Sequence, residues 1–307
     1  MSEEGDMLTI KVPASSANLG PGFDSIGLAL NLYLILEVTV SREWEVIPLS
    51  EELSIFPADE SNFIIKTAIE VAKNYNTILS PCRVRVTSNI PLARGLGSSA
   101  SAIVAGIELA DQVGQLNLTK REKLEIASRM EGHPDNVGAS IYGGLIIGCQ
   151  SQGKVDIEVM HPINFDLIAV VPREELLTKD SRNVLPTTMS FQTAVEASAI
   201  SNLLVAALLT GNMDLAGKMM KKDKYHQPYR KELVPHLEVI EEVSESLGVF
   251  GVALSGAGPT VLCFIKKGHS NSVIHGLKKI LPEMYYLHLE IDQSGSVCTG
   301  ALFSEVN

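Results

Sequence analysis

Cysteine is scarce and scattered. Cys82, Cys149, Cys263 and Cys298 lie far apart, and no C-x-x-C pair occurs. That excludes the usual spacing of a zinc or dithiol redox site, and lone buried thiols belong in a reducing compartment. Positive charge is also in deficit. Twenty-five Lys and Arg face 36 Asp and Glu, a formal net charge of −11. So acidic a chain lacks the basic footprint that grips a nucleic-acid backbone, and no nucleic-acid partner is expected. No apolar run approaches the roughly 18 residues that cross a bilayer. The acidic start MSEEGDMLTI has no hydrophobic targeting core. These absences point to a soluble, cytoplasmic protein with no membrane partner. No low-complexity tract interrupts the 307 residues, and 45% of them are hydrophobic. That is ample for one large core or two of ordinary size.

The most informative absence is a lysine. The stretch PLARGLGSSAS, residues 91–101, has the glycines and serines of a phosphate loop but no GK[ST] ending. Gly95 and Gly97 permit turns and close approaches that a side chain would block. Ser98 and Ser99 stand where a helix begins. Its first turn exposes unpaired N–H groups and the positive end of the helix dipole, which suits an anion. Ala100, Ser101, Ala102, Ala105 and Gly106 are small enough for that helix to pack closely on its neighbours. An ordinary tight strand-to-helix turn explains the same residues. If phosphates do bind, the charge that a Walker lysine supplies must come from elsewhere. A Mg²⁺ ion held by the Ser98 hydroxyl and a carboxylate would suffice, and Arg94 adjoins the loop.

Two further glycine islands occur. KVPASSANLGPGFDSIGLAL, residues 11–30, carries Asn18 and Asp24 around a rigid turn. It reads either as a surface turn held by an Asx-type bond or as a pocket wall. GVALSGAGPTVLCF, residues 251–264, sets SGAGPT between two apolar runs. It is either a bulged hairpin or a place where backbone approaches a ligand. Around the islands, period-2 runs predict strands in LTIKVPAS, LNLYLILEVTV, CRVRVTSNIP, GGLIIGC and FDLIAVVP. Helices are expected over NFIIKTAIEVAKNY, over 98–113, and over TKREKLEIASRMEG, where Thr119 and Glu122 form a capping box. Beyond Pro172 come a strongly helical stretch over 190–221, further helix ending near Gly248, a helix near 269–280 and a strand in MYYLHLEID. The pattern predicts an α+β protein of two domains, 1–165 and 166–307.

In this order the three islands resemble the three motifs of the GHMP kinases. PLARGLGSSAS resembles that superfamily's ATP-phosphate loop. PASSANLGPGFD, EGHPDNVGASIYGG, TKDSRNVLP and HQPYRKELVP resemble the homoserine kinases among them. The resemblance spans nearly the whole chain. It implies an N-terminal domain like the second domain of ribosomal protein S5, followed by a ferredoxin-like C-terminal domain. It implies ATP and Mg²⁺ as cofactors, L-homoserine as the small-molecule substrate, and transfer of a phosphoryl group to the substrate hydroxyl. A homodimer is compatible with it.

The resemblance also assigns residues. The triphosphate would lie on Pro91, Leu92, Ala93, Arg94, Gly95, Leu96, Gly97, Ser98, Ser99, Ala100 and Ser101, with Asn62 near the adenine. Ser98 and Glu125 would hold Mg²⁺; read without it, Glu125 is an exposed helix charge. Asp135 invites a general-base role, as in the mevalonate and galactose enzymes. The match instead puts Asn136 at that position, and an amide takes no proton. Asn136 would orient the hydroxyl, which a loose phosphoryl-transfer transition state allows. Homoserine is a zwitterion. Arg182 and Arg230 would fork its carboxylate; Asn18 and Asp24 would take its ammonium and hydroxyl end. His133 would line the site and Thr178 stand near the reacting groups. Two alternatives remain open: a mevalonate-type kinase, against which the first motif and Asn136 argue, and a non-catalytic nucleotide-binding regulator of the same fold.

Overall fold

The structure, a computed structural model, describes residues 7–161 and 165–302. The first part runs β1 (Leu8–Asn18), β2 (Gly22–Val40), β3 (Glu45–Pro48), α1 (Phe63–Asn74), β4 (Cys82–Ser88), α2 (Ser98–Gly114), α3 (Lys120–Glu131), α4 (Asp135–Tyr142), β5 (Leu145–Ser151) and β6 (Lys154–Met160). The second runs β7 (Asp166–Val171), α5 (Thr178–Asn183), α6 (Phe191–Thr210), α7 (Met213–Met220), α8 (Gln227–Arg230), α9 (His236–Ser244), β8 (Val249–Leu254), β9 (Val261–Ile265), α10 (Ser270–Ile280), β10 (Tyr285–Leu289) and β11 (Val297–Gly300).

Two sheets carry the mixed α+β architecture. The larger has the order β11-β1-β2-β4-β3, with β5 pairing β2 and β6 pairing β5. Its alternating residues Leu8, Ile10, Val12 and Leu34, Leu36, Val38 are buried, the period-2 signature of a strand with one covered face. Register shifts in the β1–β2 ladder fall at Pro13/Ala14 and Ala17/Asn18. Such bulges bend a strand pair, and here they bring the first glycine island over the start of α2. The smaller sheet is antiparallel in the order β10-β7-β9-β8. β7 and β9 are apolar on both faces: Leu167 and Ala169 pack into one core cluster, Ile168 and Val170 into another.

Helix α2 is buried along most of its length, and its small residues make that possible. At Gly106 a Cβ would sit 2.7 Å from the Thr67 side chain and 2.8 Å from the Ile64 carbonyl oxygen of α1. Helix α3 starts with the expected capping box, Thr119 accepting from the Glu122 N–H while the Glu122 carboxylate accepts from the Thr119 N–H. It ends on the left-handed Gly132.

Several elements differ from the sequence expectation. The helical stretch 190–221 divides at Gly211, which has φ +70° and ends α6. Helix α6 is also longer and more apolar than expected from the absence of long apolar runs. Over an 18-residue window of its 20 residues the mean hydropathy is 1.5, long and apolar enough by length and composition alone to cross a membrane. Glu196 and several hydroxyl residues lie along it, while Ala197, Leu204 and Ala207 face inward. β11 pairs with β1 from Leu8↔Gly300 to Lys11↔Val297, so residues 297–300 return to the first sheet. Four residues are too few for a period-2 pattern to announce. The point near residue 165 at which the sequence divides adjoins 162–164, which lie outside the described residues.

Candidate active site

The three glycine islands meet. Ser255 Oγ donates to the Gly95 carbonyl (2.6 Å) and lies 2.8 Å from Ser16 Oγ. The Gly256 N–H donates to the Ala17 carbonyl at 3.1 Å, Ser15 N–H to Leu96 O at 3.2 Å, and Thr260 N–H to Arg94 O at 3.3 Å. Asn18 Nδ2 donates to Gly256 O at 3.0 Å, while Asn18 Oδ1 accepts from the Asp24 N–H. Backbone packs on backbone here, which explains the glycines. Gly97 has φ +73°, and a Cβ on it would overlap the Ser15 hydroxyl; Gly95 has φ +75° and abuts the Ser255 carbonyl.

The islands border a cavity of about 500 Å³. One end is apolar, walled by Leu34, Val46, Leu53, Ile55 and Phe63. The middle is the loop from Leu92 to Ala100, running into the free N-terminus of α2. No side chain caps that N-terminus, so the first-turn N–H groups are open to an anion. The far end is polar and charged: Asn18, Asp24, Glu131, His133, Asp135, Asn136, Thr178, Arg182 and Arg230.

Most of the expected site residues therefore share one cavity, but four do not behave as expected. Pro91 and Ser101 are not among the lining residues; Ser101 is fully buried, its hydroxyl donating to the Pro13 and Gly97 carbonyls. Asn62 lines the wall, yet both ends of its amide are engaged, Oδ1 capping α1 at Ile64 N–H and Nδ2 donating to Pro57 O. Glu125 lies outside the cavity. It pairs with Arg121 one helical turn earlier (3.2 Å) and borders a separate hollow with Glu70 and Tyr75. The reason is helical phase. α3 docks through Leu124, Ala127 and Ser128, leaving Glu125 beside that contact rather than facing the loop. Glu131, six residues on at the last position of α3, turns into the cavity instead.

The polar end is tightly wired. Arg182 holds Asp24 through two bonds, Nη2 to Oδ1 at 2.7 Å and Nη1 to Oδ2 at 3.2 Å. Arg230 is 1% exposed; its Nε donates to Ser181 O and its Nη1 to Gly256 O, each at 3.0 Å. Burial, together with the charge of Arg182, lowers the Arg230 pKa to about 10, so it stays cationic at neutral pH. His133 Nδ1 lies 2.5 Å from Asp135 Oδ1. Burial opposes charge on His133, but the Asp135 bond and the negative groups around it outweigh burial and raise its pKa. Burial raises the pKa of Glu131, and the neighbouring Asp135 adds to the effect. Asn136 Oδ1 accepts from Ser15 Oγ at 3.0 Å, which directs the amide nitrogen the other way. Arg94 is not a free surface cation: it donates to the carbonyls of Leu92, Pro172 and Arg173 and pairs with Glu175.

Sequence reasoning missed Ser15, Phe23, Glu131, Ser255 and His226. All five lie within the motifs, Ser15 and Phe23 in PASSANLGPGFD, Glu131 in EGHPDNVGASIYGG, His226 in HQPYRKELVP and Ser255 in SGAGPT, so motif membership was the signal that could have found them.

An apolar slot, an anion-receptive helix mouth and a charged small-molecule end, in that order, define a two-domain phosphotransferase fold and site. Residues 62–144 match the family profile of the GHMP kinases N-terminal domain, and residues 204–283 that of the C-terminal domain. Homoserine kinase from Bacillus pumilus is 50% identical over 292 residues, 95% of this chain and 93% of that one. Homoserine kinase from Bacillus velezensis is 47% identical, over 97% of this chain and 96% of that one. Among solved structures, one assigned as a homoserine kinase from Listeria monocytogenes is 41% identical with a TM-score of 0.83, covering 95% of this chain and 99% of that one. The chain belongs to the GHMP kinase family, among its homoserine kinases.

Proposed function

We propose that this chain transfers the γ-phosphoryl group of ATP to the side-chain hydroxyl of L-homoserine, giving O-phospho-L-homoserine and ADP on the way to threonine. One observation carries the reading. An uncapped helix N-terminus and a pair of arginines facing a carboxylate share a single cavity. The first suits a polyphosphate; the second complements a zwitterion.

In this reading the apolar slot holds the adenine, with Asn62 shaping its wall. The amides from Leu92 to Ala100 hold the phosphates. Arg182 and Arg230 take the substrate carboxylate, and Asp24 takes its ammonium. Asn136, with Nδ2 turned away from Ser15, orients the hydroxyl, and Thr178 and His133 border the same end. The hydroxyl oxygen bonds to the γ-phosphorus as the bond to the β–γ bridging oxygen breaks. The hydroxyl proton leaves to a phosphate oxygen or to water. Asp135 serves as a fixed anchor for His133 and for the Asn136 N–H (2.7 Å) rather than as a base. Positioning is sufficient for so loose a transition state.

The donor set fits Mg²⁺. Ser98 and Glu131 offer hard oxygen ligands in the cavity, and a cation there would favour the ionised Glu131 that burial disfavours. Held by these two residues, Mg²⁺ would neutralise charge on the triphosphate in place of the missing lysine. Glu131 thus takes the role the sequence suggested for Glu125. We also assign residues 1–165 to ATP binding and 166–307 to a second domain whose last strand joins the first sheet. A soluble, cytoplasmic enzyme is part of the same proposal.

The test is an ADP-release assay with homoserine, mevalonate, galactose and shikimate, each with and without Mg²⁺. ADP release should require homoserine and Mg²⁺ together. Faster turnover of another acceptor, or none with homoserine, overturns the reading.

A further inference from the structure

His226 is completely buried at the start of α8, outside every role assigned above. Its two ring nitrogens face opposite demands. Nε2 lies 2.9 Å from the Gly20 carbonyl oxygen, which can only accept. Nδ1 lies 3.0 Å from Arg230 Nη1, which can only donate. A single state satisfies both: a neutral ring with its proton on Nε2. An imidazolium would set an Nδ1–H against the guanidinium.

The ring is held from its own side of the fold as well. Asp223 Oδ2 accepts from the His226 and Gln227 N–H groups and stands 3.4 Å from Nε2. Phe23 stacks on the ring with centroids 5.4 Å apart. The guanidinium carbons of Arg182 and Arg230 lie 5.4 and 5.6 Å from the centre of that same phenyl ring. His226 therefore connects the first glycine island, at Gly20, to Arg230. With Ser181 O on Nε and Gly256 O and His226 on the two Nη1 protons, only Arg230 Nη2 lacks a protein partner among the described residues. The arginine lines the cavity.

We propose that His226 is a positioning residue: its neutral, Nε2-protonated ring holds the Arg230 guanidinium in the one orientation that presents Nη2 to the substrate's carboxylate. The inference rests on the reading of Arg230 as a carboxylate ligand. Burial and the charge of Arg230 keep a second proton off the ring; Asp223 and the more distant Asp24 favour that proton but are outweighed.

The substitutions His226→Asn, His226→Gln and His226→Leu separate the two bonds. Asn keeps an acceptor near the Nδ1 position; Gln keeps a donor near the Nε2 position; Leu keeps neither. His226→Leu should raise the homoserine KM about tenfold or more while the ATP KM stays within about twofold. His226→Asn should recover most of that loss and His226→Gln little of it. Equal effects from all three, or parallel changes in both KM values, would overturn the proposal. Should the Leu variant not fold, ¹⁵N spectra of the unaltered protein decide. They should show a proton on Nε2 and a bare Nδ1 from pH 8 to pH 5; an Nδ1–H form or an imidazolium in that range refutes it. Arg230→Lys distinguishes the two levels. If it leaves the homoserine KM unchanged, the reading of Arg230 fails. If it raises KM but His226→Asn behaves like His226→Leu, only the role of His226 fails.

Discussion

Asp24 and Arg182, 158 residues apart, form a two-bond ion pair that closes the polar end of the cavity. The pair joins the start of β2 to α5. Its side chains are 36% and 38% exposed, so solvent screens it and its direct contribution to stability is small. Its weight is geometric. Each member is oriented by the other before a substrate with both charges arrives to share them.

Asp24→Asn keeps the shape and removes the charge. It should raise the homoserine KM at least about tenfold, leave the ATP KM within about twofold, and shift the melting temperature by only about 2 °C. Steady-state kinetics and a thermal melt check this. A large loss of stability with an unchanged KM would mean the pair is structural.

Glu131→Gln and Glu125→Gln form a matched pair. The first should lower kcat by about tenfold or more and raise the Mg²⁺ concentration needed for half-maximal rate; the second should stay within about twofold of the parent. The reverse order would return the metal to Glu125.

Lys123 lies between Glu108 (2.7 Å) and Asp111 (2.6 Å), with side-chain exposures of 10%, 6% and 6%. Glu108 also accepts from Ser296 Oγ at 2.7 Å, which ties the approach to β11 into the cluster. Lys123→Met strands two buried carboxylates and should cost about 3–5 kcal/mol. Denaturant unfolding measures that cost. Amide exchange at 297–300 should quicken while both KM values hold; unchanged exchange would separate β11 from the cluster.

Two histidines bend the pH–stability curve in opposite directions. Burial lowers the His226 pKa from the ordinary 6.5 to about 4. Between those values the unfolded chain binds a proton that the folded chain refuses, so stability falls as the pH drops through that window. His133 is opposed by burial but raised on balance by Asp135 and the surrounding negative charge. Its contribution is complete below the unfolded value near 6.5 and is lost as pH rises through the higher folded value. His133→Gln should therefore flatten the alkaline side of the melting-temperature profile between pH 4 and 9 and leave the acid limb alone. Flattening on the acid side would contradict this assignment.

Much of the site was legible in the chain itself. The glycine islands announce themselves because turn geometry is local: Gly95 and Gly97 sit at positive φ within a few residues of the serines they serve. The Thr119–Glu122 cap and the start of α2 at Ser98 are readable for the same reason. Ser101 was not. It shares the serine pattern of its neighbours, yet helical phase turns its hydroxyl onto Pro13.

Residue chemistry along the chain determined the mixed fold, the order of the three islands and the kind of ligand they suit, because each depends on neighbours a few positions away. Tertiary structure alone decided which carboxylate enters the cavity, since that follows from the face on which α3 docks. It also decided that His226, whose bond to Gly20 spans 206 residues, meets Arg230 as an uncharged ring. A hydrogen bond's partner is set by position in space, and no local pattern encodes a contact between segments so far apart.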